Sequence, residues 1–148
     1  MRIIIETPAD GEEDEVIIRC RELDEDLTHF INLLKAGKKQ ITGYHDGSIR
    51  KLSPKEVFYF ESVDNKVFAY CETVVYEVKE KLYEIETLYQ HTSFQRISKS
   101  VIVNVSLIEY VSPILGARLE ATLKNHEKVI ISRQYVPELK KKLGIAER

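Results

Sequence analysis

The sequence lacks any long apolar run, and this absence excludes whole classes of protein. No run approaches the roughly 20 apolar residues that a membrane-spanning helix needs, and the start is unlike a secretory signal because Pro8 and several acids follow its short apolar stretch. We therefore expect a cytoplasmic protein. With 148 residues, 43% hydrophobic and 31% charged, the composition is ordinary for a globular chain of one domain, or one domain with a small appendage.

Residues that bind metals or attack substrates are also scarce. The two cysteines, Cys20 and Cys71, lie far apart in apolar stretches, where a free thiol behaves as a small hydrophobe. The four histidines are scattered without the close spacing of a metal site. There is no glycine-rich phosphate loop and no nucleophile motif. We expect no metal, no cofactor, no small-molecule substrate and no enzymatic activity.

The charge is unevenly distributed along the chain. The net charge is −2, but residues 1–40 hold 6 Lys and Arg against 10 Asp and Glu, whereas residues 94–148 hold 10 against 5. Such asymmetry can give a local electropositive surface despite an acidic total.

The N-terminal segment predicts two strands and a helix. The β-branched runs at 3–5 and 16–18, separated by an acid-rich connection, indicate paired strands. From Glu22 an amphipathic helix of about four turns is expected, with Gly37 as its C-terminal stop. Its apolar stripe consists of Leu23, Leu27, Phe30, Ile31 and Leu34. A segment of this length is too short for a receiver domain, which is a doubly wound α/β unit.

The rest of the chain predicts a succession of antiparallel strands. A hairpin is expected around Asp46-Gly47, a strong turn signal. The other expected elements are strands at 57–60, 67–71 and 74–78, a short helix within 79–90, and a meander at 108–114, 118–123 and 129–131. Ser132 is expected to cap a final helix, whose apolar face includes Val136, Leu139 and Leu143.

The stretch from Phe94 to Asn104 is the strongest candidate for a functional site. Apolar residues at both ends can anchor it, and its middle carries Arg96, Ser98, Lys99 and Ser100. Ser and Lys donate to phosphate oxygens, and Arg or Lys donates to guanine. The alternative is a basic turn that only joins two elements.

Three stretches together resemble the LytTR-type DNA-binding domain of bacterial transcriptional regulators. They are Val57–Ser62, Phe94–Asn104 and Ile131–Tyr135, in the family's order within residues 43–143. The resemblance implies a mainly β fold with short helices, an elongated arrangement of small successive β-sheets, here with an N-terminal strand-strand-helix segment added. It divides the chain into that segment, residues 1–40, and a LytTR-like domain, residues 41–148.

The resemblance also implies which residues meet DNA. Carried over by position, Asn65, Lys66, Lys99 and Arg133 lie on loops that read bases in consecutive major grooves, and Ser100 contacts phosphate. Two positions depart from the family. The first loop lacks the histidine of some members, and position 99 is Lys where some have Asn. Lys cannot make the paired contact with adenine that Asn makes and favours guanine or phosphate, so the target sequence stays open.

Two function classes follow from these observations. The first is a sequence-specific regulator that binds double-stranded promoter DNA as a homodimer, at direct or palindromic half-sites about one helical turn apart. The resemblance implies a regulator in which residues 1–40 replace the receiver domain, of a kind often restrained by a small membrane protein. The second is a protein-interaction module, or anti-regulator, on the same scaffold. The acidic, amphipathic N-terminal segment favours this second class.

Overall fold

Antiparallel strands make up most of the regular structure. The computed structural model describes residues 1–36 and 40–145, and within them ten strands form two sheets. The strands are β1 Ile41–His45, β2 Ser48–Leu52, β3 Tyr59–Val63, β4 Lys66–Tyr70, β5 Val75–Val78, β6 Phe94–Arg96, β7 Val101–Asn104, β8 Ile108–Ile114, β9 Arg118–Leu123 and β10 Lys128–Ile131. The α-helices are α1 Glu25–Ala36, α2 Leu82–Leu88 and α3 Val136–Lys142. The expected mainly β fold with short helices is confirmed.

The first sheet has seven strands in the order β2-β1-β5-β4-β3-β7-β6, and the second has three in the order β10-β9-β8. The first is larger than the small sheets that the resemblance implies. Its opening hairpin forms as predicted, because Asp46 and Gly47 both adopt positive φ, 45° and 78°. Those angles suit the tight turns whose twist matches that of antiparallel strands. The three-stranded sheet is the predicted meander.

Two hydrophobic cores lie against opposite faces of the β3–β7 pair. Phe60 and Ile102 belong to the core that α2 covers, whereas Val103 belongs to the core shared with the second sheet and α3, and its partner Tyr59 packs against that same core. This division follows from the alternation of side chains along an extended chain, which sends neighbours to opposite faces. Leu139 of α3 is fully buried in the second core. The β3–β7 pair is therefore fixed from both sides, and so are the loops that leave it.

The N-terminal segment departs from its prediction. Residues 3–5 and 16–18 form no strands, and their side chains are exposed apart from the half-buried Ile18. A lone two-stranded hairpin is marginal in water without a further strand or an apolar surface to cover. The helix begins at Glu25, not Glu22, because the Asp24 carboxylate accepts a hydrogen bond from the Leu27 N–H at 2.9 Å. It has 12 residues, and the expected stop at Gly37 lies outside the described residues.

The predicted cap at Ser132 is also wrong. Its side chain makes no cap hydrogen bond, and a 3-10 turn, Arg133–Tyr135, separates it from α3. The helix begins instead beside Pro137, whose fixed φ suits a first turn and whose missing N–H costs nothing there. None of the helices in the described part of the chain is long and apolar enough to cross a lipid bilayer. Across residues 1–36 and 40–145, no three His, Cys, Asp or Glu side chains are grouped to hold a metal ion.

Candidate functional site

Two of the predicted loops lie at the same end of the seven-stranded sheet. Strands β3 and β7 are antiparallel, with Glu61 opposite Val101, so the turn that follows β3 and the loop that precedes β7 are neighbours. A backbone hydrogen bond joins them directly, from the Ser62 N–H to the Ser100 carbonyl at 2.8 Å. Loops separated by more than thirty residues are thus brought side by side by sheet register alone.

The β3–β4 turn is short and conformationally defined. Val63 pairs with Lys66, which leaves Asp64 and Asn65 as the two turn residues, with φ of 50° and 65°. Asp and Asn tolerate positive φ better than most residues because their short polar side chains can hydrogen-bond locally. Asn65 and Lys66 are both exposed. The turn therefore presents an amide and an ammonium group at this end of the sheet.

The β6–β7 loop is held at its base. Ile97 is fully buried in the second core, and its N–H donates to the Val101 carbonyl at 3.0 Å. Within the loop, the Ser100 N–H donates to Ser98 Oγ at 3.3 Å. Lys99 is exposed and Ser100 half-buried. The expectation that apolar residues anchor a polar loop is met.

Arg96 contacts this loop from its inner side. Its Nε donates to the Ser98 carbonyl at 2.7 Å, and a terminal nitrogen donates to the Lys99 carbonyl. The other terminal nitrogen lies 3.5 Å from a carboxylate oxygen of Glu86 on α2. The side chain is only 16% exposed. Arg96 was expected among the surface cations of the loop, and its place one position before the buried Ile97 is the sequence signal for this inner position.

Arg133 lies beside the same loop. The N–H of Ser132, which precedes it, donates to the Ile97 carbonyl at 2.8 Å. Arg133 opens the 3-10 turn and is exposed. The third predicted element is therefore hydrogen-bonded to the base of the second, and all three lie at one end of the molecule's sheets.

The β8–β9 turn lies at this end as well. Ile131, the last residue of β10, is opposite Leu119, so the chain leaving β10 passes the turn before β9. Arg118 at the start of β9 is exposed, and its Nε donates to the Leu115 carbonyl at 3.0 Å. Arg118 was not among the predicted site residues, although a cation two residues after the turn glycine, Gly116, is a recognisable signal.

Three exposed cations at this end, those of the predicted loops, form no salt bridge with any of the described residues. Among residues 1–36 and 40–145, the salt bridges involve His45, Arg50, Arg96 and Lys128. Lys66, Lys99 and Arg133 are in none of them. Exposed unpaired cations around hydroxyl and amide groups form a surface complementary to a polyanion.

Comparison with known proteins agrees with this geometry. The sequence profile described as the LytTr DNA-binding domain matches residues 47–144. An uncharacterized HTH-type transcriptional regulator of Staphylococcus aureus is 29% identical over 148 residues, which cover 98% of this chain and 99% of that protein. The sensory transduction protein LytT of Enterococcus faecalis is 28% identical over 95 residues, 64% of this chain and 39% of that protein.

A solved structure is similar as well. A LytTr DNA-binding domain from Bacillus cereus superposes with a TM-score of 0.69 at 29% sequence identity. The superposition covers 74% of this chain and 100% of the solved one. The shared part is thus a complete domain of that protein.

Proposed function

The chain belongs to the LytTR DNA-binding domain family, and we propose that it is a sequence-specific transcriptional regulator that reads the major groove of promoter DNA through its clustered loops. The observation that carries this proposal is the gathering of Lys66, Lys99 and Arg133, all exposed, at one end of the two sheets. The resemblance drawn from the three sequence motifs is confirmed by the match.

Loops, and not a helix, are the elements available for base reading. Some relatives carry the words HTH-type in their names, but in the described ranges several strands separate α1 from α2 and α2 from α3. A helix-turn-helix needs two helices joined by a short turn. The loops instead project from strands held on both faces, which limits their movement and suits the placement of a few donors against base edges.

We assign different roles to the five candidate residues. Arg133 presents a planar fork of donors suited to guanine, and we propose that it reads a base. Lys99 reads guanine or contacts phosphate, and Ser100 contacts phosphate. Asn65 and Lys66 contact the neighbouring groove segment. We further propose that two copies bind together at half-sites about one helical turn apart, as is common for dimeric regulators.

The first experiment is selection of binding sequences from random duplex DNA with the purified protein. We expect enrichment of a motif with two related half-sites. Binding to that motif should weaken as salt rises, with about 0.9 on the logarithmic slope for each phosphate contact. Absence of enrichment at low salt, or affinity that is flat between low and physiological salt, would contradict the proposal.

The second experiment separates base contacts from phosphate contacts. Arg133→Ala should cost about 1–3 kcal/mol and relax preference at one position, whereas Ser100→Ala should weaken all sequences alike. Lys99→Ala distinguishes the two roles left open for that residue, because only the loss of a phosphate contact lowers the salt slope by about one. Lys128→Ala is the control, since Lys128 is an exposed lysine at the opposite end of the second sheet. Unchanged affinity in all three loop variants would refute the assignment.

A second candidate function has its own supporting observation. Residues 1–24 hold exposed apolar side chains, among them Ile3, Ile5 and Ile17, which suit contact with another protein. The partner is a second copy or, as the family implies, a small membrane protein. DNA binding would then be secondary. Failure of the selection experiment, combined with stable self-association or partner capture that requires residues 1–24, would favour this function.

A further inference from the structure

The loop Ser98–Ser100 receives hydrogen bonds from a mostly buried side chain, that of Arg96. Three of the loop's backbone contacts are local or come from strand ends: Ile97 N–H to the Val101 carbonyl, Ser100 N–H to Ser98 Oγ, and Ser62 N–H to the Ser100 carbonyl. The carbonyls of Ser98 and Lys99 take part in none of these three contacts. Arg96 supplies both donors from one planar group.

A guanidinium suits this task better than other donors. Its N–H groups lie in one plane and at fixed angles, so two carbonyls that it binds are fixed relative to each other. An ammonium can reach one of them but does not impose a direction. The Arg96 side chain is 16% exposed, and burial makes a lost hydrogen bond more costly because water replaces it poorly.

The third contact of Arg96 ties the loop to α2. Glu86 lies 3.5 Å from the guanidinium, and two other residues of α2, Leu82 and Ile85, are buried in the first core. Glu86 is itself half-exposed, so its pairing with Arg96 is weaker than the two carbonyl contacts. Helix α2 therefore holds a carboxylate beside the guanidinium, although that carboxylate stays accessible to water.

We propose that Arg96 is the positioning residue of the DNA-reading loop. It sets the loop backbone so that Lys99 and Ser100 face DNA, it makes no phosphate contact of its own, and Glu86 orients it. This inference rests on the proposed function. The charge of Arg96 and its place in a basic motif would suggest a contact with DNA. Its guanidinium instead donates to two carbonyls of the protein itself.

The test compares Arg96→Ala and Arg96→Lys in the full chain, with the selected operator and a scrambled duplex as probes. Both variants should weaken operator binding by about tenfold, a loss of the size expected for buried hydrogen bonds. Affinity for the scrambled duplex should fall less than affinity for the operator, because a phosphate contact such as that assigned to Ser100 is lost on both duplexes, whereas a base contact is lost only on the operator. The salt slope should be the same in Arg96→Ala and Arg96→Lys, since Arg96 itself makes no phosphate contact. Glu86→Gln should give the same pattern with a smaller loss. Arg50→Lys is the matched control, because Arg50 is also paired with a glutamate, at 2.9 Å, but lies on the opposite edge strand of the sheet.

A second measurement tests the loop in the absence of DNA. In Arg96→Ala, hydrogen exchange of the Ser62 and Ile97 amides should be faster, since both donate into or across the loop, while Arg50→Lys should leave them unchanged. This readout stays informative even if no operator is found, in which case the proposed function fails while the positioning role is still measured. Unchanged exchange would overturn the inference.

Two other outcomes would overturn it as well. If Arg96→Lys restores operator binding and Arg96→Ala lowers the salt slope by about one, Arg96 is a phosphate contact. If operator and scrambled binding fall in parallel with the melting temperature, Arg96 serves only the stability of the fold.

Discussion

Two β-branched runs of equal length, residues 3–5 and 101–103, differ in whether they form a strand and in whether they are buried. Ile3 and Ile5 are 79% and 92% exposed and belong to no strand, whereas Ile102 and Val103 are 1% and 0% exposed in β7, which is paired on both sides. Their intrinsic preference for extended backbone is nearly the same. The difference is that Val101–Asn104 has strands on both sides and a core on each face.

Strand propensity therefore measures fit to a surface and is not a backbone preference on its own. The run at 101–103 receives partners from Tyr59–Glu61 and from β6, both brought to it by the fold. The run at 3–5 was expected to pair with 16–18, but such a hairpin covers no core in the described structure. An apolar segment without a surface to cover stays exposed unless another molecule supplies one.

The same substitution in both runs should have very different effects on stability. Ile102→Ala should lower the free energy of unfolding by about 3 kcal/mol, because it removes buried methylenes and leaves a cavity. Ile5→Ala should change it by less than about 0.5 kcal/mol, as exposed positions usually do. Urea unfolding followed by circular dichroism measures both. Equal losses would mean that residues 3–5 are buried in solution.

Asn104 gives the next largest effect, through polar contacts instead of apolar burial. It is 1% exposed, and its amide nitrogen donates to the carbonyls of Pro54 and Val57 at 3.3 and 3.0 Å. Its oxygen accepts from the hydroxyls of Ser93 and Ser106. Asn104→Ala should cost about 2–3 kcal/mol, because several buried groups lose their partners at once.

The control for this prediction is Asn125→Ala. Asn125 is a half-buried turn residue whose Oδ1 accepts from the Glu127 N–H at 3.1 Å, so only one local contact is lost. Asn104→Ala removes contacts with the distant Pro54, Val57 and Ser93 as well as with the nearby Ser106. Thermal unfolding of the two variants would show the contrast. Equal melting temperatures would contradict the view that Asn104 joins three separate segments.

Local signals were sufficient for much of the fold. The turn at Asp46-Gly47 follows from residues that accept positive φ, and the meander follows from alternation within each strand. The helix within 79–90 also formed, shortened to Leu82–Leu88. These features depend on neighbours within about ten residues, and sequence patterns describe such neighbours well.

Features that depend on distant partners were predicted less well. The strands at 3–5 and 16–18 failed because strand formation needs a covered face. The cap at Ser132 failed because a 3-10 turn separates that residue from α3 and its side chain makes no cap hydrogen bond. The residues of the candidate site were named from the family resemblance, but the inner contacts of Arg96 involve backbone carbonyls, which no side-chain pattern reveals.

A smaller effect is expected from removing the N-terminal region altogether. A protein that begins at Gln40 should melt within about 4 °C of the full chain, since a loss of at most about 1 kcal/mol is expected when Leu27, Ile31 and Leu34 are only half-buried. We expect the shortened protein to self-associate less, because the exposed Leu23 and Phe30 then no longer offer a contact between copies. Sedimentation and calorimetry measure the two quantities. An unchanged oligomeric state with a large fall in melting temperature would assign α1 to packing on its own domain.

The smallest expected effect concerns a contact between the two regions. The rings of His29 on α1 and His91 stack with centroids 4.0 Å apart, and Lys142 of α3 donates to the nearby carbonyls of Thr92 and Phe94. Burial, then the proximity of His29 and of Lys142, lowers the pKa of His91 from its ordinary 6.5. The His91 imidazole is therefore protonated less readily in the folded state than in the unfolded chain.

The stacked pair of His29 and His91 therefore contributes fully to the docking of α1 above pH 6.5, the ordinary pKa of histidine. This contribution is lost as the pH falls below that value. The change should be small because His91 is only partly buried, so that water screens the charges. Hydrogen exchange of α1 between about pH 8 and pH 5, corrected for intrinsic rates, should show protection decreasing across the range in which histidines titrate. His29→Phe keeps an aromatic ring on His91 and removes one of the two charges, so its protection should depend less on pH. An identical pH profile in both proteins would show that α1 is held by its apolar residues and not by the histidine pair.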